Sequence, residues 1–346
     1  MTHRKRVLAT FAFGPTDRVA YDLMESAVWP ELMDFFRRQH GLSEPSQVWD
    51  LLDVDCRWVF PAYEGPPGAP PAENLPDGWG GTYSDALYPR PLAQATSVAD
   101  VEAHPWPDPT WWRPPDFQAA RSNWPHHALV FCSGWMPLFC GACNAFGMET
   151  ALVKMATEPA VFGAFVARQH AFCLDVMRPS LAAARGVCDI AWLGDDYASQ
   201  DALIMGPERW RRFIKPYLAE QVRLVRDHGL IALLHSCGAI RAIIPDLIDI
   251  GVDGLLVFQT SARDMDPESI ARDFGGRIAF YGGIDCQQLL TFGTENDVRA
   301  EVARNMRAFS KCGGYIVANA HCGIANIRGE NIVAMCEAAK ASASLR

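Results

Sequence analysis

LIALLHSCG, residues 230–238, is an apolar run that stops abruptly on a histidine and a cysteine. A short apolar run closed by a glycine reads as a buried strand rather than a helix. His235 and Cys237 are two positions apart, so an extended backbone projects both from one face. A second run, YIVANAHCG at 315–323, ends on His321 and Cys322. One imidazole and two thiolates make a ligand set suited to zinc, and three protein ligands leave a position for a substrate atom. His235, Cys237 and Cys322 are therefore the expected zinc ligands.

The pattern around 230–238 repeats from about residue 126. HALVFCSG, CDIAWLGDD, LIALLHSCG, VDGLLVFQ, RIAFYGGID and YIVANAHCG are each followed by a helical stretch. Strands alternating with helices imply a parallel sheet. Six such units favour a closed TIM-type (β/α)8 barrel in an α/β chain, preceded by an irregular N-terminal extension. The expected division is an extension and cap with Pro/Trp-rich loops over 1–125 and a barrel body carrying the active site over 126–346, as one integrated domain. No GxGxxG or GxxxxGK stretch follows any strand, which speaks against nucleotide binding.

The carboxyl ends of barrel strands form one rim, where active sites lie. Asp195, Asp196, Gln259, Asp285 and His321 all sit at such ends and are the candidate catalytic residues. The aspartate pair suits hydrogen bonding to a substrate, holding a proton, or capping the next element. Gln259 offers donor and acceptor together. Gly282 and Gly283 leave room for a ligand to approach the backbone, while Asp285 can also cap the following helix. Cys140 and Cys143 form a CxxC that reads first as structural. Glu149 opens a helix, where a carboxylate complements the dipole. Cys140 or Glu149 is the candidate fourth zinc ligand.

Before residue 126 the signals are weaker. ESAVWPELMDFFRRQ at 25–39 reads as a helix and RWVFPAY at 57–63 as a strand, followed by a Pro/Gly-rich loop. HPWPDPTWWRPPDF at 104–117 gathers Trp106, Trp111 and Trp112, expected as a cap over one end of the core or, alternatively, as an aromatic wall for a flat substrate. His104, His126 and His127 lie in loop and are expected to be solvated.

Hydrophobic residues make up 49% and charged residues 21% of 346, enough for a large core. The net charge of −9 without a basic cluster disfavours nucleic acid. No apolar run approaches the ~20 residues needed to span a bilayer, and VLATFAF is too short for a convincing signal peptide. A soluble, cytoplasmic protein without membrane or nucleic-acid partners is expected. Eleven scattered cysteines argue for reduced thiols rather than a disulfide framework.

From WLGDDYASQ through FIKPYL, LLHSCGAI, IPDLIDIGVDGL, FYGGIDCQQLL, GGYIVANAHCGI and ENIVAM, the chain resembles the uroporphyrinogen decarboxylase-like family. Within it, the chain is most similar to the zinc- and corrinoid-dependent methyltransferases. The likeness covers roughly 126–340, with DRV at 17–19 and PLAQATSVADVEAHPWPDP as further matches. It implies a barrel with an N-terminal extension, a zinc ion on His235, Cys237 and Cys322, and a corrinoid. The chain has no DxHxxG-like segment to bind that corrinoid, so a separate corrinoid protein is the expected partner, with a small methylated substrate. Decarboxylases of the family carry an arginine-rich segment near the N-terminus, where this chain has DRVAYDL. The function so implied is methyl transfer from a small methoxylated, aromatic substrate to the corrinoid protein. The alternatives are methyl transfer from methylcobalamin to a thiol of the coenzyme M type, a decarboxylase-type lyase, and a non-catalytic barrel with structural zinc.

Overall fold

A computed structural model describes residues 1–65, 90–132, 137–321 and 326–342. Eight parallel strands form one sheet: β1 (Ala20–Tyr21), β2 (Cys56–Val59), β3 (Ala128–Cys132), β4 (Ile190–Gly194), β5 (Ile231–His235), β6 (Gly254–Phe258), β7 (Ala279–Ile284) and β8 (Tyr315–Asn319). Each pairs with its neighbour in sequence from β2 to β8, and β1 pairs with β8. The remaining seam lies between β1 and β2. There the Asp55 N–H donates to the Tyr21 carbonyl at 3.0 Å, and the Asp55 carboxylate accepts the Tyr21 N–H at 2.9 Å. The result is the expected TIM-type barrel. β3, β6 and β8 are buried at every position, consistent with parallel strands covered on both sides.

The segment 1–125, expected as an extension, supplies two of these strands. β1 is only two residues long, and β2 overlaps the first part of the stretch read as a strand at 57–63. The helix expected at 25–39 runs instead from Pro30 to His40, because proline is accommodated in the first helical turn and not deeper.

Helix His3–Phe11 closes the amino end of the barrel. Arg4 reaches Asp189 just before β4, and Arg6 reaches Asp55 just before β2. Phe11 packs on Gly254 at the start of β6. With that end plugged, the carboxyl rim is left for chemistry.

The tryptophan-rich segment does not cap an end of the core. Trp112 packs edge-on against Phe172, and Trp106 lies against Phe165, both on the Pro159–Ala184 helix that flanks the barrel. These rings are spent on the outer wall. His126 is exposed as expected, but His104 and His127 are half-buried, and burial pulls the His127 imidazole down to about 4. Among the described residues, ten cysteines are free thiols. No single described helix is long and apolar enough to cross a membrane.

Inside the barrel, Asp22 is fully buried just past β1. One carboxylate oxygen accepts from Trp58 Nε1 at 2.9 Å and from the Tyr281 hydroxyl. The other has no hydrogen-bond partner among the described residues. Burial lifts its pKa to about 6, against those two donors. Both states are protonated below about pH 4; between about 4 and 6 the unfolded chain ionises while the folded one holds its proton. Wild-type stability should therefore fall relative to Asp22→Asn over that window, by about 3 kcal/mol, and stay offset above it. Denaturant titrations of both proteins from pH 4 to 8 check this; parallel curves would refute it.

Candidate active site

β4 and β5 pair in register, with Gly194 opposite His235. Residues just past β4 therefore lie beside those just past β5. Successive residues of an extended chain face opposite ways, and Asp195 and Asp196 divide accordingly.

Asp195 turns inward. Its carboxylate accepts the N–H groups of Leu138, Phe139 and Cys140 at 2.9, 2.7 and 3.0 Å, and that of Asp196 at 3.0 Å. It anchors the start of the Phe139–Phe146 helix. Burial nevertheless raises its pKa to about 7, outweighing those donors.

Asp196 turns toward the metal-ligand candidates. One oxygen accepts the Cys237 N–H at 2.9 Å and lies 3.5 Å from His235 Nε2. Burial opposes its ionisation, but His235, the Cys237 amide and His321 hold it down at about 2. His235 Nε2 is also 3.5 Å from Cys237 Sγ. Burial likewise opposes a Cys237 thiolate, but His235 and a hydrogen bond from His321 outweigh it and hold the thiol below its ordinary value. Ligand atoms of Asp196, His235 and Cys237 all lie within 4.8 Å of one another. An oxygen, a nitrogen and a sulfur donor converging in this way fit a zinc-type ion. Cys322 lies outside the described residues.

The turn that presents Cys237 depends on Gly238. Its φ is +85°, and a Cβ there would sit 2.4 Å from the Ser199 carbonyl oxygen, a backbone atom. Gln259 braces the same turn, its Oε1 accepting the Gly238 N–H at 2.9 Å. His321 is set by Asn319, whose side chain donates to the His321 carbonyl at 2.6 Å and accepts the Met24 N–H at 3.1 Å.

Asp196, Cys237, Gln259, Asp285 and His321 line one cavity of about 270 Å³ on the carboxyl rim. Gln200, Cys286 and Gln287 complete its polar lining and were not anticipated. Cys286 and Gln287 directly follow Asp285, so the loop after that strand end was the signal available. Asp285 accepts the N–H groups of Gln287, Gln288 and Leu289, the capping role foreseen as its alternative.

Three expectations change. Gly282 and Gly283 do not make room for a ligand: a Cβ would meet the Phe258 backbone at 3.0 Å and the Tyr315 hydroxyl at 2.5 Å. Glu149 is exposed in the first turn of the Met148–Thr157 helix and is not among the converging ligands. Cys140 is buried behind the site, its thiol 3.6 Å from the Asp196 carbonyl oxygen, and Cys143 is pushed up to about 12 by burial. Neither candidate fourth ligand joins the cluster; a carboxylate from Asp196 does.

Comparison with known proteins adds three findings. The family model described as uroporphyrinogen decarboxylase (URO-D) matches residues 128–342. Two proteins named methylcobamide:CoM methyltransferase MtaA, from Methanosarcina barkeri and its strain Fusaro / DSM 804, are each 28% identical over 151 residues. Those alignments span 43% of this chain and 41% of each relative, less than half its length. A solved methyltransferase structure from Methanosarcina mazei superposes with a TM-score of 0.69 over 98% of both chains, at 17% identity, which speaks for the fold.

Proposed function

The chain belongs to the uroporphyrinogen decarboxylase family, and within it we propose that it is a zinc-dependent methyltransferase working with a corrinoid carried on a separate protein. The observation carrying this reading is the convergence of Asp196, His235 and Cys237 within 4.8 Å beside the rim cavity. Cys322, adjacent in sequence to His321, is the proposed further thiolate ligand. When bound, zinc would supply Lewis acidity toward a substrate heteroatom, or lower the pKa of a substrate thiol.

The protein groups have separable duties. Asp196 and the Cys237 amide fix the ligand turn, and Gln259 and Gly238 hold its shape. Asp195 acts as a positioning residue behind them. His321, beside Cys237 and Asp196 on the cavity wall, is the proposed proton donor to a departing alkoxide oxygen. Asp285 and Gln259 orient the substrate.

The proposed direction is demethylation of a small methoxylated donor: the methyl carbon passes to Co(I), the carbon–oxygen bond breaks, and the oxygen leaves with a proton. An aromatic donor loses its main support, since Trp106 and Trp112 pack on the Pro159–Ala184 helix and no described phenylalanine, tyrosine or tryptophan lines the cavity. Transfer from methylcobalamin to a thiol is the second reading, favoured by the names of the curated relatives.

Incubating zinc-loaded protein with Co(I) corrinoid and a panel of methyl ethers tests the first reading. The expected result is conversion of the Co(I) spectrum to that of methylcobalamin with at least one ether. No conversion with any ether, alongside methylation of a thiol from methylcobalamin, would replace it by the second.

A further inference from the structure

The rim cavity has a chemical character beyond its metal-ligand candidates. Two of its lining side chains are carboxylates, Asp196 and Asp285, and three are neutral amides, Gln200, Gln259 and Gln287. No lysine or arginine lines it among the described residues. By sequence alone, residues 66–89, 133–136 and 322–325, outside the described residues, contain no lysine or arginine. The closest basic groups in the sequence after β5 and β6 are committed elsewhere: Arg241 pairs with Asp273, and Arg263 with Asp201 at 2.9 Å. The whole chain carries a formal charge of −9, so the long-range field also repels anions.

We infer that this cavity selects a small substrate whose end remote from the reacting atom is uncharged or cationic, and that it rejects substrates bearing a carboxylate, sulfonate or phosphate there. The inference rests on the methyltransferase reading and narrows its substrate class. Bound zinc would offset Asp196, so the far end of a substrate held by that zinc meets Asp285 and neutral amides, with no lysine or arginine among the described residues to replace the water an anion gives up. A hydroxyl or amide head group instead finds donors and acceptors in the three glutamines. An ammonium head finds Asp285 as well. The cavity of about 270 Å³ restricts the choice to compact molecules.

Three ethanethiols that differ only at the far end isolate this property: 2-mercaptoethanesulfonate, 2-mercaptoethanol and 2-aminoethanethiol. The thiol is common to all, so differences in affinity report the head group. Calorimetric titration of the zinc-loaded protein should give dissociation constants for the neutral and cationic members at least tenfold below that of the sulfonate. Gln287→Lys, at an exposed position on the cavity lip, should shift the sulfonate-to-ammonium ratio at least tenfold toward the sulfonate. Tighter or equal binding of the sulfonate by the wild type overturns the inference. So does an unchanged ratio in Gln287→Lys, or failure of all three to bind. These titrations need no methyl transfer. Sulfonate preference with active demethylation would remove the inference alone; head-group selection without any transfer would remove the methyltransferase reading alone.

Discussion

Cys237→Ala should strip the protein of its bound zinc, lowering metal affinity by more than about a hundredfold. Losing a residue that merely orients a metal ligand costs about 10–100-fold, and Cys237 is proposed to donate its own sulfur. The same change keeps the backbone N–H that ties this turn to Asp196, so the loss of affinity reports the thiol itself. Competition with a chromophoric chelator gives the affinity, and metal analysis of dialysed protein gives the stoichiometry. Cys237 is only partly buried, so the substitution should leave the fold intact by circular dichroism. Full zinc retention in the variant would remove Cys237 from the ligand set. Full zinc loss with a wild type that transfers no methyl group would leave a structural metal on a non-catalytic barrel.

Asp55→Ala should cost about 3–5 kcal/mol of stability, the range for breaking a buried ion pair from one side. Asp55 is completely buried and paired with Arg6 at 2.6 Å, Arg18 at 2.7 Å and His3 at 2.8 Å. Its carboxylate also holds the Tyr21 N–H across the β1–β2 seam. Removing it takes the shared carboxylate from two nearly dry guanidinium groups, those of Arg18 and Arg6, of which Arg6 keeps Asp17 as a partner. Native domains typically keep only about 5–15 kcal/mol in all, so a large fraction of the stability is at stake. Urea denaturation at pH 7 gives the value; a loss below about 1 kcal/mol would contradict the role assigned. Burial pushes the Asp55 pKa up, but His3, Arg18 and Arg6 outweigh it and hold it below the ordinary carboxylate range. The contribution is thus present above about pH 4 and is lost as pH falls through the depressed folded value.

The barrel was legible because buried parallel strands are nearly continuous apolar runs, and those at 128–132, 190–194 and 231–235 stand out unaided. β1 could not be read that way, since two residues carry no periodicity. β2 was visible as a strand, yet its membership of the sheet depends on pairing with β3, which no local pattern records. At the site, the sequence placed His235, Cys237 and Asp196 on one rim. It could not say which of two adjacent aspartates faces inward; that depends on the Leu138–Cys140 backbone arriving from another strand end. The same limit explains the glycines at 282 and 283. Their need for space was legible, but what fills it is Phe258 and Tyr315, both remote in sequence. The tryptophans of 104–117 announced packing without naming the surface, and the partner proved to be a flanking helix.

The pairing of Ala20 with Ile316 gives the fold a temporal order. β1 is synthesised long before the strand it pairs with, and until β8 exists its only sheet contact is the Asp55 bridge to β2. Closing a loop of that length is entropically costly and slows folding. A nascent chain therefore holds a strand edge open through nearly the whole of its synthesis. The charged helix ahead of β1, tied to Asp55 and Asp189, is the element available to keep that early segment docked while the final strand is still to come.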